Sequence, residues 1–203
     1  VNSFRVGLFL LFTLPACLSA EAEPSGLLAR WNFDEGKGEV AEDHGGKGQP
    51  ITVKGATWMK LGDGYALNFT AGPRVVASSG TPPFNLTGPV TAALWIRPTQ
   101  NAKKLTNVFG AGLSNFLIAQ YDNNAIYWYI GSGSNSIVTR VTIGQWNHLV
   151  GTFDGTRSNL WVNGDLAASR ESQHTSYTKA DQVSICPPGA NNFVGQVDEV
   201  RLY

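Results

Sequence analysis

The sequence predicts an all-β fold in which two antiparallel sheets pack face to face. Three observations carry that prediction. Short runs of alternating apolar and polar residues, roughly a dozen of them, recur between turn residues, the pattern of a two-sheet sandwich. No helix-length stretch shows a 3.6-residue period. Residues 145–164, QWNHLVGTFDGTRSNLWVNG, read as two strands and two tight turns. In the first of these, Asn147, Leu149, Gly151 and Phe153 share one face, and His148, Val150 and Thr152 the other. Asp154-Gly155 turns the chain, because Gly accepts positive φ and Asp bonds its own backbone. Residues 159–162 form the second strand, closed by Asn163-Gly164, the strongest short hairpin signal.

The remaining elements follow in order. Residues 27–34, LLARWNFD, alternate as a half-buried strand, with Leu27, Ala29, Trp31 and Phe33 on one face. Residues 35–50 are a polar, glycine-rich loop, and a loop that long calls for a metal or for plain exposure. Short strands are expected at 51–53, 57–59, 65–69 and 74–77, and a loop at 78–88. In 89–98, PVTAALWIRP, Val90, Ala92, Leu94 and Ile96 point inward and Thr91, Ala93, Trp95 and Arg97 the other way. Strands at 105–109, 116–121, 125–130 and 136–141 are separated by Gly- and Asn-rich turns. After the 145–164 hairpin, a loop covers 173–181 and a strand 182–186. The last strand, 193–203, is apolar to its end and is expected to pair near the first. There Val194, Gln196, Asp198, Val200 and Leu202 are expected to share a face.

Composition bounds the function. The 203 residues hold 42% hydrophobic side chains, 23 Gly and 11% aromatics, which suits one all-β domain rich in turns. Lys plus Arg and Asp plus Glu are 15 each, a net charge of +0, so neither nucleic acid nor an anionic membrane surface is selected as partner. Residues 1–22 read as a secretory signal peptide: Arg5, then the apolar run VGLFLLFTL, then the cleavage pattern Ala20-Glu21-Ala22. That run is too short to span a membrane. Residues 14–17, LPAC, also resemble a lipobox that would leave Cys17 lipidated. Residues 23–26 are a linker, and 27–203 the domain. A secreted, periplasmic or cell-surface location follows. Without Cys17, Cys186 has no disulfide partner and reads as a small packed residue.

Four segments in order, 30–49, 92–98 (AALWIRP), 146–164 and 195–203 (GQVDEVRLY), resemble the laminin-G-like jelly-roll domain, of the concanavalin A-like lectin and glucanase superfamily, with pentraxins as relatives. The resemblance implies a concanavalin A-like jelly roll, commonly a secreted module for glycans or proteins, often with one Ca²⁺. It implies Asp43 and Asp198 as calcium ligands. The residues of the loop add Glu35, Glu39 and Glu42, since Ca²⁺ takes 6–8 oxygen ligands. A solvated acidic loop with a hydrogen-bonded Asp198 is the alternative.

Catalysis finds no carriers. The hydrolase branch of the resembled superfamily uses an E-x-D-x-E strand, absent here, and Asp198-Glu199 point to opposite faces, whereas a retaining pair stands about 5–5.5 Å apart. His44, His148 and His174 are scattered, so no zinc or triad site forms. The chain reads as non-enzymatic. A glycan platform is expected at Tyr127 and Tyr129, which share a strand face, with Asn123, Asn124 and Gln120 beside them. Trp31, Trp95 and Trp161 read as core. The partner is a glycan or an extracellular protein; without a sugar the module would serve protein–protein adhesion or structure, and a polysaccharide-active enzyme with an unrecognised site is the remaining alternative.

Overall fold

The computed structural model describes residues 25–45, 50–70, 75–78, 86, 88–111, 115–172, 182–187 and 193–203. The signal-peptide and Cys17 readings lie outside the described residues. Among them are sixteen strands and no helix. The strands are β1 (Ala29–Trp31), β2 (Val40–Ala41), β3 (Ile51–Lys54), β4 (Thr57–Leu61), β5 (Gly64–Phe69), β6 (Val75–Ser78), β7 (Val90–Pro98) and β8 (Thr106–Gly110). They continue as β9 (Phe116–Tyr121), β10 (Ala125–Ile130), β11 (Ser132–Arg140), β12 (Asn147–Phe153), β13 (Arg157–Val162), β14 (Asp165–Glu171), β15 (Ser184–Ile185) and β16 (Gly195–Leu202).

All pairings are antiparallel, in two sheets of eight strands. The first runs β14-β13-β12-β7-β16-β5-β4, with β1 also on β16. The second runs β11-β10-β9-β8-β15-β6-β3-β2. This is the two-sheet sandwich expected from the alternation. The 145–164 hairpin is β12 and β13, and the first strand does pair with the last, Ala29 opposite Leu202. Asp154 holds the hairpin turn: its carboxylate accepts from the Thr156 N–H at 2.7 Å and the Arg157 N–H at 2.7 Å. Those bonds, the Arg157 one foremost, hold its pKa below the usual range. Strand β14, beyond Asn163-Gly164, was not expected; it is exposed along almost its whole length and carries no apolar alternation to betray it.

The core lies between the sheets. Trp31, Phe109, Phe116 and Trp128 contact one another in sequence, with ring centroids 6.4, 5.7 and 5.8 Å apart. Edge-to-face and tilted pairs of this kind add to area burial. Trp128 crosses from the second sheet to the first and donates its Nε1–H to the Thr152 carbonyl at 3.2 Å. It fits because position 151 is glycine: a Cβ there would stand 2.5 Å from the Trp128 ring. Gly151→Ala is expected to destabilise by about 1–3 kcal/mol through overpacking. A thermal melt should fall by roughly 2–4 °C per kcal/mol in a chain of this size; an unchanged transition would refute this packing.

Candidate functional site

Trp128 points inward and is 0% exposed, so by alternation Tyr127 and Tyr129 stand on the outer face of the second sheet. Their rings stack, 5.5 Å apart and 16° from parallel. Tyr129 is nonetheless only 8% exposed and belongs to a small outer cluster with Leu117 and Ala119. Burial, then the Tyr127 hydroxyl, raises its pKa. Tyr129 therefore supports Tyr127 from below. Tyr127 is itself half-buried, and the exposed ring beside it is Tyr121, edge-on to Tyr127 at 6.3 Å. Together they line a depression of about 280 Å³ with Asp122, Asn123, Ala125, Val138, Thr139 and Arg140.

The polar rim is set by a two-residue turn. Asn123 and Asn124 both have left-handed backbone, φ 56° and 60°, which Asn tolerates better than most residues. Asp122 accepts from the Asn123 N–H and from the Asn101 Nδ2–H, and Asn101 accepts from the Asn124 N–H. Of the five expected residues, Tyr127 and Asn123 line the depression. Gln120 does not: it is 1% exposed and donates to the Gln100 carbonyl. An even-numbered position on β9 faces the core, where an amide must find a buried partner. Asn124 serves the turn. Tyr121 and Arg140 were missed, although Tyr121 continues the outward alternation of Leu117 and Ala119.

The acidic residues fall elsewhere. One edge of β16 is paired by β7, the other is shared end to end. β5 takes residues 195–197 and β1 takes 200–202, leaving Asp198 and Glu199 at the junction. Here β16 bulges: Asp198 pairs with Trp95 and Arg201 with Ala93, so two residues face Leu94 alone. Glu199 takes φ 47°. The extra residue reverses the alternation, placing Asp198 with Gln196 outside while Val200 and Leu202 stay in the core. The single shared face expected for those residues is thereby corrected.

Asp198 accepts the Glu199 N–H at 2.8 Å. Burial pushes its carboxyl up to about 7, against that hydrogen bond, with the Glu199 and Asp34 charges adding to the rise. Asp34, rather than Asp43, is thus the first-loop carboxylate that bears on Asp198. It accepts from the Tyr65 N–H and the Asn32 Nδ2–H. Asp43 instead fastens its loop to β1, accepting from the Arg30 and Gly45 N–H groups at 2.9 and 2.7 Å. Glu35 accepts the Glu42 N–H through Oε1. Glu35 Oε2 and Asn32 Oδ1 are buried without a hydrogen-bond partner. Among the described residues, no three His, Cys, Asp or Glu side chains gather closely enough to hold a metal alone. Asp43, Asp198 and Glu35 are therefore not one carboxylate cluster, and any cation here would also need Asn32 and backbone carbonyls.

Two of the three tryptophans read as core are placed otherwise. Trp31 is buried, but Trp95 is 39% exposed and Trp161 half-buried, both on the outer face of the first sheet. The His148 ring lies 4.9 Å from Trp95, and burial, then Arg201, lowers its pKa.

The fold is a two-sheet antiparallel jelly-roll sandwich, and the chain belongs to the laminin-G family of the concanavalin A-like lectin/glucanases superfamily, whose model matches residues 70–203. Human pentraxin-related protein PTX3 is 27% identical over 148 residues, 69% of this chain and 37% of that protein, so the chain spans little more than a third of it. Among solved structures, domain 4 of an extracellular GH43 arabinanase from Geobacillus stearothermophilus, in complex with arabinotriose, superposes with a TM-score of 0.67. The match has 22% identity over 87% of this chain and 91% of that one. The binding domain of botulinum neurotoxin DC in complex with rat synaptotagmin II gives 0.68, with 11% identity over 87% and 48%. These likenesses are of fold.

The raised Asp198 pKa has a sign. In the metal-free protein the folded state holds its proton more tightly than the unfolded chain, whose value is near 3.8. Its favourable share is full below that pH and is lost as pH rises toward about 7. In chelator, Asp198→Asn is expected to flatten this fall and to exceed the parent in stability at pH 8. Parallel pH–stability curves for the two proteins would dismiss the assignment.

Proposed function

We propose that this chain is a non-enzymatic carbohydrate-binding module, exported or held at the cell surface, with a structural calcium ion. The observation that carries the first part is the Tyr121–Tyr127 depression. Two tyrosine rings set edge to face give the depression an aromatic wall for the C–H surface of a sugar. Asp122, Asn123, Thr139 and Arg140 supply donors and acceptors around them. Few polar groups set on an aromatic wall are the usual build of a small-ligand site. A volume of about 280 Å³ suits a short saccharide. The arabinanase domain that aligns over most of its length is in complex with arabinotriose, which makes arabino-oligosaccharides the first ligands to try. Export rests on the signal-peptide pattern of residues 1–22.

Calcium is supported by unmet oxygen. Asn32 Oδ1, buried without a hydrogen-bond partner, and the half-buried Asp198 carboxylate with Asp34 beside it are hard oxygen donors of the kind Ca²⁺ prefers. Asp34 thus takes the place expected for Asp43. Bound there, the ion would neutralise the acids and tie the Asn32–Asp34 turn to β16.

Tyr127→Ala is expected to weaken retention on an immobilised polysaccharide panel by roughly tenfold or more, as loss of an aromatic anchor does, with the melting temperature kept. Equal retention would defeat the cleft. Turnover of any polysaccharide would defeat the non-enzymatic reading, and capture of protein ligands without sugar would favour adhesion. Millimolar calcium should raise the melting temperature of the parent by linkage and leave Asp198→Asn unmoved. A parent indifferent to calcium and chelator would discard the ion.

A further inference from the structure

We propose that the outer face of the first sheet is a second carbohydrate-binding surface, centred on Trp95, that takes an uncharged saccharide unit. Trp95 sits on β7, the middle strand of the β14-β13-β12-β7-β16-β5-β4 order. A sheet centre is where an indole is most easily covered, yet this one keeps 39% of its surface exposed. Its register neighbours are His148 on β12 and Asp198 on β16, and in-register residues share a face. The imidazole leans on the indole at 4.9 Å and 32°, which fixes the ring plane. One step along, Ala93 lies between Val150 and Arg201, giving a low floor beside the raised indole. Trp161 and the half-exposed Leu166 continue the apolar row across β13 and β14.

Charge decides the occupant. Arg30 donates to both oxygens of Glu199, at 3.1 and 3.2 Å, and Arg201 donates to Oε2 at 3.0 Å. The guanidiniums are thus already engaged by a carboxylate, and Asp198 stands nearby. A polyanion meets acids here, and a polycation meets arginines. A polyhydroxy ligand meets a flat ring for its C–H face and both donors and acceptors for its hydroxyls. This surface lies on the opposite sheet from the Tyr127 depression, so the two readings can fail separately.

The test is a titration of the ¹⁵N-labelled protein with arabinotriose, xylotriose, cellotriose and chitotriose, following the tryptophan indole N–H signals. The Trp95 signal is the one lost in Trp95→Phe. The proposal expects it to shift with at least one trisaccharide, to shift equally in Tyr127→Ala, and the affinity to fall roughly tenfold or more in Trp95→Ala. If Trp95→Ala does not fold, His148→Ala should weaken the same titration, since it removes the support behind the indole. A Trp95 signal that none of the four sugars moves overturns the proposal, whether or not the Tyr127 site binds. So does a shift produced by dextran sulfate and not by the neutral sugars.

Discussion

Strand β16 is the constraint on which the rest depends, because one strand has to satisfy three neighbours. β7 takes the whole of one edge, while β5 and β1 divide the other between them. Two strands meeting end to end cannot both continue through the join. The backbone there must leave the ladder, and it does so as a bulge at Glu199 and as the left-handed Phe33, φ 55°, on the approaching chain. Asp198, Asp34 and Asn32 collect in that gap. The acidic site is therefore a product of topology: the join makes an opening in a sheet, and oxygen-rich side chains occupy it.

The same sheets leave two different outer faces. The core uses the inward positions of both, and its aromatic chain from Trp31 to Trp128 ties them together. What remains outside is tyrosine on the second sheet and tryptophan with histidine on the first. The chain as a whole balances 15 basic against 15 acidic residues. A balanced charge of this kind gives little long-range steering of a charged partner.

How far the sequence could be read depends on parity. Where a strand is regular, one buried residue dates all the others: Leu94 and Ile96 inward put Trp95 outward, and Trp128 inward puts Tyr127 outward. Reading Trp95 as core went against its own alternation and gave its size more weight than its position. Gln120 was lost for the same reason, since Tyr121 and not Gln120 shares the outward set. Asp198 was different. Its local pattern is regular on paper, and only the two-versus-one pairing against Leu94 reverses it. A bulge forced by strands distant in sequence leaves no local trace. Asp34 was legible in principle, two residues from Asn32 on the same face of W-N-F-D.

The strain and the charge at the join act in one direction. Non-glycine residues in the left-handed region cost of order 1–3 kcal/mol each, and Phe33 is fully buried as well. Burial, with the Glu199 and Asp34 charges adding to it, raises the proton affinity of Asp198. Both costs fall on the segment that carries β1, a three-residue strand whose only strand partner is β16 among the described residues. Its far edge is closed by a side chain standing in for a strand, Asp43 accepting the Arg30 N–H, together with the His44 N–H to the Arg30 carbonyl. The first strand is thus the least redundantly held part of the first sheet, and the part nearest the acids. A cation in the gap would act on charge and anchorage together, because Asn32 and Asp34 follow β1 directly while Asp198 belongs to the strand it docks on.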